Sequence, residues 1–193
     1  SGSGTAAGAA YSFGDGFSFA VGYTGDGSSS NGVMTKEGVD AFGGQLSYSA
    51  DSYGASLTVA KIDGVANGND DRKYYGLNGY WTPSETGAIP SLSVGYEIGD
   101  AQGLRETSQW FVGLQWDEAG PGTLGTAVGT IGASEGVEST SSPHYDPELL
   151  MYEVFYSYEI NDGMTITPLI YTKETVSGSD DLTGLMVKTS FSF

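Results

Sequence analysis

The sequence lacks cysteine altogether, and it has one histidine and only seven lysines and arginines. Without cysteine there is no disulfide, no thiolate metal site and no thiol nucleophile, which fits an extracytoplasmic protein built without such cross-links. The 24 aspartates and glutamates are scattered along the chain and give a net charge of −17. Nucleic acid is a poor partner for this chain and is not expected to bind, because phosphate binding needs a concentrated basic face. A field of this sign concentrates cations at any concave surface instead.

Long apolar runs are missing as well. No stretch approaches the roughly 20 apolar residues of a membrane-spanning helix. The first ten residues, "SGSGTAAGAA", have neither the basic nor the apolar region of an export signal. We therefore expect that a signal has been removed or that the chain begins inside a longer protein. The 193 residues are enough for one domain with a large sheet.

What the sequence does have is 31 glycines and an alternation of apolar and polar residues. A period of two is typical of β-strands with one apolar and one polar face. In "LMYEVFYSYEI", residues 150–160, the even positions are apolar or aromatic, and Glu153, Ser157 and Glu159 occupy the odd positions. The pattern recurs along the chain and predicts an all-β protein of about eleven strands of roughly 8 to 12 residues. Pro168 predicts a strand that is bulged or locally unpaired at that residue.

The connections between the predicted strands alternate between short and long. Tight turn sequences stand at 14–16, 51–52, 83–90, 118–122 and 161–163, and longer acidic segments stand at 25–40, 64–73, 99–107, 132–149 and 173–181. One end of the predicted sheet therefore has turns and the other has loops, an asymmetry that is typical of outer-membrane barrels.

Two architectures fit this alternation: a soluble sandwich that buries its apolar face, and a barrel that turns the apolar face to lipid. The polar positions are mostly Gly, Ser, Ala, Thr, Asn and Gln, which suits a water-filled lumen better than the charged exterior of a sandwich. The predicted strands are similar in length to a tilted membrane strand, which has about 9 to 11 residues. Aromatic residues lie at or near strand ends, as in interfacial girdles: Tyr11, Phe13, Phe17, Tyr53, Trp81, Trp116, Phe191 and Phe193. These features favour a transmembrane antiparallel β-barrel, and a secreted sandwich that serves as a binding module or adhesin is the alternative.

The end of the chain, "TGLMVKTSFSF", keeps the alternation to its last residue. Its apolar positions include Leu185, Val187, Phe191 and Phe193. This resembles the C-terminal signal by which bacterial outer-membrane proteins are recognised by the barrel-assembly machinery. The resemblance implies that Phe191 and Phe193 form that signal.

Four segments extend the resemblance over nearly the whole chain: "YSFGDGFSFAVGYTG", "YYGLNGYWTPSETGAIPSLSVGYE", "WFVGLQWDEAG" and "LTGLMVKTSFSF". Together they resemble the barrel of the cyanobacterial-type outer-membrane porins, which are often called iron-uptake porins and are grouped with the carbohydrate-selective (OprB-like) porins. Members of that family have an S-layer-homology domain and a coiled coil ahead of a barrel of about sixteen strands. The resemblance implies that residues 1–193 are the C-terminal part of such a barrel, without those two N-terminal parts.

The resemblance also implies a topology. If the C-terminus is periplasmic, the short turns are periplasmic and the long loops are external. The first strand, about residues 7–13, then begins outside, so Ser1 would lie in an external loop. We expect the intact protein to exceed 20.1 kDa; a closed barrel with an odd strand number is the alternative.

Passive diffusion of small hydrophilic solutes and inorganic ions is the expected function, with a preference for cations. The resemblance implies iron or small sugars as solutes, and outer-membrane lipid and the barrel-assembly machinery as partners; a homotrimer is the candidate assembly. The candidate pore-lining residues are Gln45, Tyr74, Asn78, Tyr80, Glu97, Gln109, Gln115, Glu153, Glu159 and Lys188.

No constellation predicts catalysis or a cofactor. Glu153 and Glu159 are about 20 Å apart by strand rise, too far for a glycosidase pair, and no serine and histidine form a plausible catalytic pair. His144, with Asp146 and Glu148, could form a weak metal site, and the acidic segments 67–71 and 177–181 could hold Ca²⁺ loosely. Solvated loops are the preferred interpretation of all three. The chain has no second histidine to support a site at His144, and neither acidic segment has the spacing of a dedicated calcium loop.

Overall fold

The computed structural model describes residues 4–26, 32–34, 39–63, 71–85, 87–101, 106–131, 149–175 and 180–192. All regular structure in these ranges is β-strand. The strands are β1 (Thr5–Ser12), β2 (Phe17–Asp26), β3 (Val39–Ser49), β4 (Tyr53–Asp63), β5 (Arg72–Trp81), β6 (Ser91–Ala101), β7 (Thr107–Ala119), β8 (Gly122–Thr130), β9 (Leu150–Asn161), β10 (Met164–Lys173) and β11 (Leu182–Phe191). The prediction of an all-β antiparallel protein is confirmed.

Hydrogen-bonded neighbours follow chain order in a single sheet of 11 strands, from β1 to β11. Each strand is thus hydrogen-bonded to the strands that precede and follow it in the chain. The turn between β1 and β2 shows the local cause: Gly14, Asp15 and Gly16 all have positive φ, a conformation that glycine adopts without steric cost. The short connections lie where the sequence predicts them.

Pro168 interrupts its strand on one side only. Towards β11 it lies opposite Val187 in an unbroken register. Towards β9 the ladder passes from Ile166 opposite Tyr158 to Leu169 opposite Phe155, without Pro168 as a partner. The strand is thus locally unpaired at the proline, as expected from its missing N–H. The register shift between β9 and β10 lies elsewhere, next to Met164.

The chain is organised as two compact units. The described part of the first lies within residues 1–79 and 96–108, and that of the second within 80–95, 109–136 and 144–193. In the first unit, Phe19 lies opposite Leu46 and Leu46 lies opposite Leu57. On the other side, Ala20 lies opposite Gln45. Apolar side chains therefore share one face, and small and polar side chains share the other.

The second unit has the same division. Thr126 lies opposite Leu114 and Val154, and Val154 lies opposite Ile170. We call the side with the large aliphatic residues the apolar face in each unit, and the opposite side the polar face. The division follows from the period of two in the sequence, because successive side chains of a strand point to opposite sides.

Neither unit has a buried apolar core in the part of the chain that the structure describes. Leu57 is 51% exposed in the middle of β4, and Leu185 is 71% exposed in β11. Scattered exposed apolar residues are normal on soluble proteins, but a whole face of them marks a surface that contacts protein or membrane. The apolar faces of both units therefore have no covering layer in the described chain.

Candidate functional site

The predicted pore-lining residues all lie on polar faces. A Cβ atom built on Gly76 would lie 3.8 Å from Cβ of Thr58, which fixes the polar side of β5. A Cβ atom built on Gly113 would likewise approach Oγ of Ser93, which fixes the polar side of β6 and β7. By strand alternation, the first unit presents Gln45, Tyr74, Asn78 and Glu97, and the second presents Tyr80, Gln109, Gln115, Glu153, Glu159 and Lys188. Whether these residues line a channel stays a prediction.

Gln45 is held by hydrogen bonds on the polar face of the first unit. Its Nε2 donates to Oγ1 of Thr58 at 3.0 Å, and its Oε1 accepts from Oγ of Ser47 at 3.3 Å. An amide fixed at both ends presents a defined donor and acceptor pattern to water or solute.

Gln115 has a corresponding position in the second unit. Its Nε2 donates to Oδ1 of Asp117 at 2.7 Å, and its backbone lies opposite Gly125. The carboxylate of Asp117 therefore belongs to the polar face, although this residue is not among the predicted lumen residues. The signal was available, because Asp117 continues the odd positions of β7.

The two predicted lumen glutamates are not brought together. Glu153 lies opposite Ala127 and Tyr171, and Glu159 lies opposite Thr165. Lys188 lies opposite Thr167 on the next strand. The charges are thus distributed along the polar face, as isolated groups that act through their field and not as a catalytic pair.

Large aromatic side chains also lie on the polar face, and the prediction of a mainly small-residue surface missed two of them. Phe155 packs over Gly125 so closely that a Cβ on that glycine would overlap its ring, and Tyr171 covers Gly184 in the same way. Phe111 is 43% exposed on this face. Glycine on the neighbouring strand makes room for each covering ring, because it has no side chain of its own.

The apolar face of the first unit is layered. Near the short turns, ring centroids lie 4.7 Å apart for Phe17 and Tyr48 and 5.9 Å apart for Tyr48 and Tyr53. At the loop end, Tyr23 and Phe42 form a second pair at 5.2 Å. Between the two aromatic groups lie Phe19 and the aliphatic side chains of Val21, Leu46, Leu57 and Val59.

Aromatic residues near the turns of the second unit also bind their polar atoms to turn backbone. Nε1 of Trp116 donates to the carbonyl oxygen of Ala88 at 3.3 Å. The hydroxyl of Tyr156 donates to the carbonyl oxygen of Ala119 at 2.9 Å. Rings that are apolar on one side and hydrogen-bonded on the other suit a boundary between an apolar and an aqueous phase.

Phe191 ends β11 opposite Met164 and is 62% exposed, on the apolar face with Val187 and Leu185. Phe193 lies outside the described residues. Of the two residues in the predicted assembly signal, the structure therefore describes Phe191 alone.

The loop candidates for metal binding are mostly beyond the described ranges. His144, Asp146 and Glu148 lie outside them. Of segment 67–71, only Asp71 is described, and its carboxylate forms an ion pair with Nζ of Lys61 at 3.0 Å. No cluster of three potential metal-ligating side chains occurs within the described ranges.

In the described part of the chain, no helix has the length and apolar character needed to cross a membrane. No family model, curated protein or solved structure matches the chain. The porin resemblance therefore stays a prediction from the four sequence segments. A functional proposal therefore depends on the geometry of the apolar and polar faces.

Proposed function

We propose that this chain forms the wall of an outer-membrane porin, a water-filled β-barrel through which small hydrophilic solutes and inorganic ions diffuse passively. One observation carries the proposal: the sheet has an apolar face and a polar face, and the described chain supplies no core that covers the apolar one. Exposure of Leu57 or Leu185 to water is costly, at roughly 25 cal/mol per Å² of apolar surface. Lipid removes this cost without a second protein layer.

The layering of the apolar face supports a membrane in particular. Groups of aromatic rings at two levels, with mainly aliphatic residues and Phe19 between them, are similar to the girdles and the apolar band of outer-membrane barrels. Strands β3 and β4 have 11 residues each, which is roughly 35 Å of strand. Tilted by about 40°, such a strand covers roughly 27 Å, close to the height of the apolar band.

The competing function is a secreted sandwich that acts as a binding module or adhesin. A sandwich places the apolar faces of two sheets against each other and buries the residues between them. In the described chain, Val59 remains 44% exposed and Val154 49% exposed, although both lie in the middle of the apolar face. Such exposure in the described chain does not fit the interior of a sandwich.

Cation preference follows from the distribution of charge. The sequence has a net charge of −17, and the polar face of the second unit presents Asp117, Glu153 and Glu159 against Lys173 and Lys188. A negative lumen raises the local concentration of cations and lowers that of anions. Inorganic iron and small sugars are the solutes that the family resemblance suggests.

The proposal is tested by the state in which the protein is purified. We expect that it needs detergent to leave the membrane fraction and that its mobility in detergent gels shifts on boiling, because folded barrels resist detergent until heated. A control soluble β-protein that passes through the same procedure should show neither property. A monodisperse protein in buffer without detergent would contradict the proposal.

A further inference from the structure

The polar face of the second unit carries an open groove of about 410 Å³. The residues that matter for its chemistry are three aromatic side chains and three polar ones: Tyr80, Phe111, Phe155, Ser93, Gln115 and Asp117. The volume falls within the range of small-molecule sites, which are about 300 to 1,000 Å³. A few polar groups among aromatic walls are the usual composition of such sites.

Phe155, Gly125 and Gln115 form one cross-strand row, and the amide of Gln115 contacts the carboxylate of Asp117. Phe155 lies opposite Gly125, and Gly125 lies opposite Gln115. The ring of Phe155 covers Gly125, which lies between Phe155 and Gln115 in this row. Because Gln115 donates its amide hydrogen to Asp117 at 2.7 Å, one cross-strand row holds the ring and positions the carboxylate.

The groove is negative as well as aromatic. No lysine or arginine is among the described residues that line it. The two ion pairs of Lys61 are made with Asp63 and Asp71, and neither involves Asp117. Oδ1 of Asp117 accepts the hydrogen bond from Gln115. The second carboxylate oxygen, Oδ2, can accept further hydrogen bonds.

We propose that this groove binds a small organic cation, an amine or a quaternary ammonium, and so makes the channel selective among cations. The inference rests on the proposed porin function. The charged head would lie near Asp117, and its alkyl groups would contact the faces of Phe155 and Tyr80, because aromatic faces attract cations. A strongly hydrated inorganic cation gains little from the rings, and a neutral sugar gains hydrogen bonds but no ion pair from the carboxylate.

The test is block of the K⁺ current by choline in planar bilayers, with the protein reconstituted as purified. We expect choline to reduce the KCl current in a saturable manner. Asp117→Asn should weaken this block about fivefold or more, which corresponds to a screened ion pair of about 1 kcal/mol. Asp162→Asn is the matched control, since this aspartate lies in the exposed turn after β9, away from the groove.

Tyr80 supplies a second pair of variants. Tyr80→Phe keeps the ring and should leave the block unchanged, whereas Tyr80→Leu should weaken it about two- to fivefold through loss of the cation–π contact. Binding of choline to the detergent-solubilised protein, measured by titration calorimetry, is a parallel measurement that needs no channel.

The outcomes separate the two proposals. A K⁺ current that choline does not block would overturn the groove assignment and leave the porin function intact. The same conclusion holds if maltose blocks the current as strongly as choline does. Equal block in the Asp117 and Asp162 variants would overturn it as well. If no channel forms, the porin function fails, and absence of choline binding in the calorimeter would then overturn the groove assignment separately.

Discussion

At the scale of single residues, two rings on the polar face cover glycines of the neighbouring strand closely. The ring of Phe155 occupies the space that a Cβ on Gly125 would take, and Tyr171 does the same at Gly184. In a sheet with no buried apolar core in the described chain, such contacts are among the few places where side chains interlock. We therefore expect them to be sensitive to small changes in volume.

Gly125→Ala should destabilise the protein by about 1 to 3 kcal/mol, because the added methyl group forces the ring of Phe155 out of its position. Gly22→Ala is the matched control: Gly22 lies on the polar face of β2, and a Cβ there meets nothing within 4 Å. Urea unfolding in lipid vesicles, monitored by tryptophan fluorescence, measures the stability of both variants. Equal stability of the two variants would show that the ring yields without cost.

At the scale of the strand, alternation was enough to predict nearly all of the elements. Residues such as Phe19, Leu57 and Val154 repeat with period two through segments whose ends carry turn signals, so strand type and order followed directly. The polar-face rings were harder to foresee. The position of Phe155 over Gly125 depends on register between β8 and β9, and the long loop between those strands does not fix that register in the sequence.

The two faces of β4 give a direct comparison within one strand. Leu57→Arg places a charge in the middle of the apolar face and should cost about 2 to 4 kcal/mol if that face meets lipid. Ser56→Arg, on the neighbouring polar face, should be tolerated. The fraction of heat-modifiable protein after refolding into vesicles measures both variants.

A water-exposed apolar face would give the opposite result. Leu57 is 51% exposed, and an arginine there would then change stability by no more than about 0.5 kcal/mol. Two variants of equal stability would therefore contradict the membrane interpretation of this strand.

The aromatic residues at the strand ends predict a definite depth for the tryptophans. The sequence has three: Trp81 and Trp116 near the turns, and Trp110 at the loop end of its strand. In variants that retain one of them, with the others replaced by phenylalanine, we expect stronger quenching by lipids brominated near the headgroup than by lipids brominated near the chain end.

A tryptophan introduced as Leu57→Trp in a background without the native three serves as the deep control. It should show the reverse order of quenching, because Leu57 lies between the two aromatic levels. The same order for the native tryptophans and for this control would refute the layered arrangement.

At the scale of the whole molecule, the described chain is a single sheet of 11 strands in chain order, with an apolar and a polar face in each of its two units. Such a sheet has little to bury within itself, so the medium around it decides whether the arrangement is stable. A bilayer on the apolar side and water on the polar side satisfy both faces at once. Closure into a barrel and passage of solutes follow as proposals from this arrangement.

The most direct test of the account is conductance in planar bilayers, with the reversal potential measured under a KCl gradient. We predict stepwise conductance and a reversal potential of the sign that indicates preference for K⁺. The double variant Glu153→Gln with Glu159→Gln should shift it towards zero, because the change removes two of the charges that we propose line the lumen. No conductance from protein that is correctly folded in the bilayer would contradict the porin function, and a preference for Cl⁻ would contradict the electrostatic part of the account.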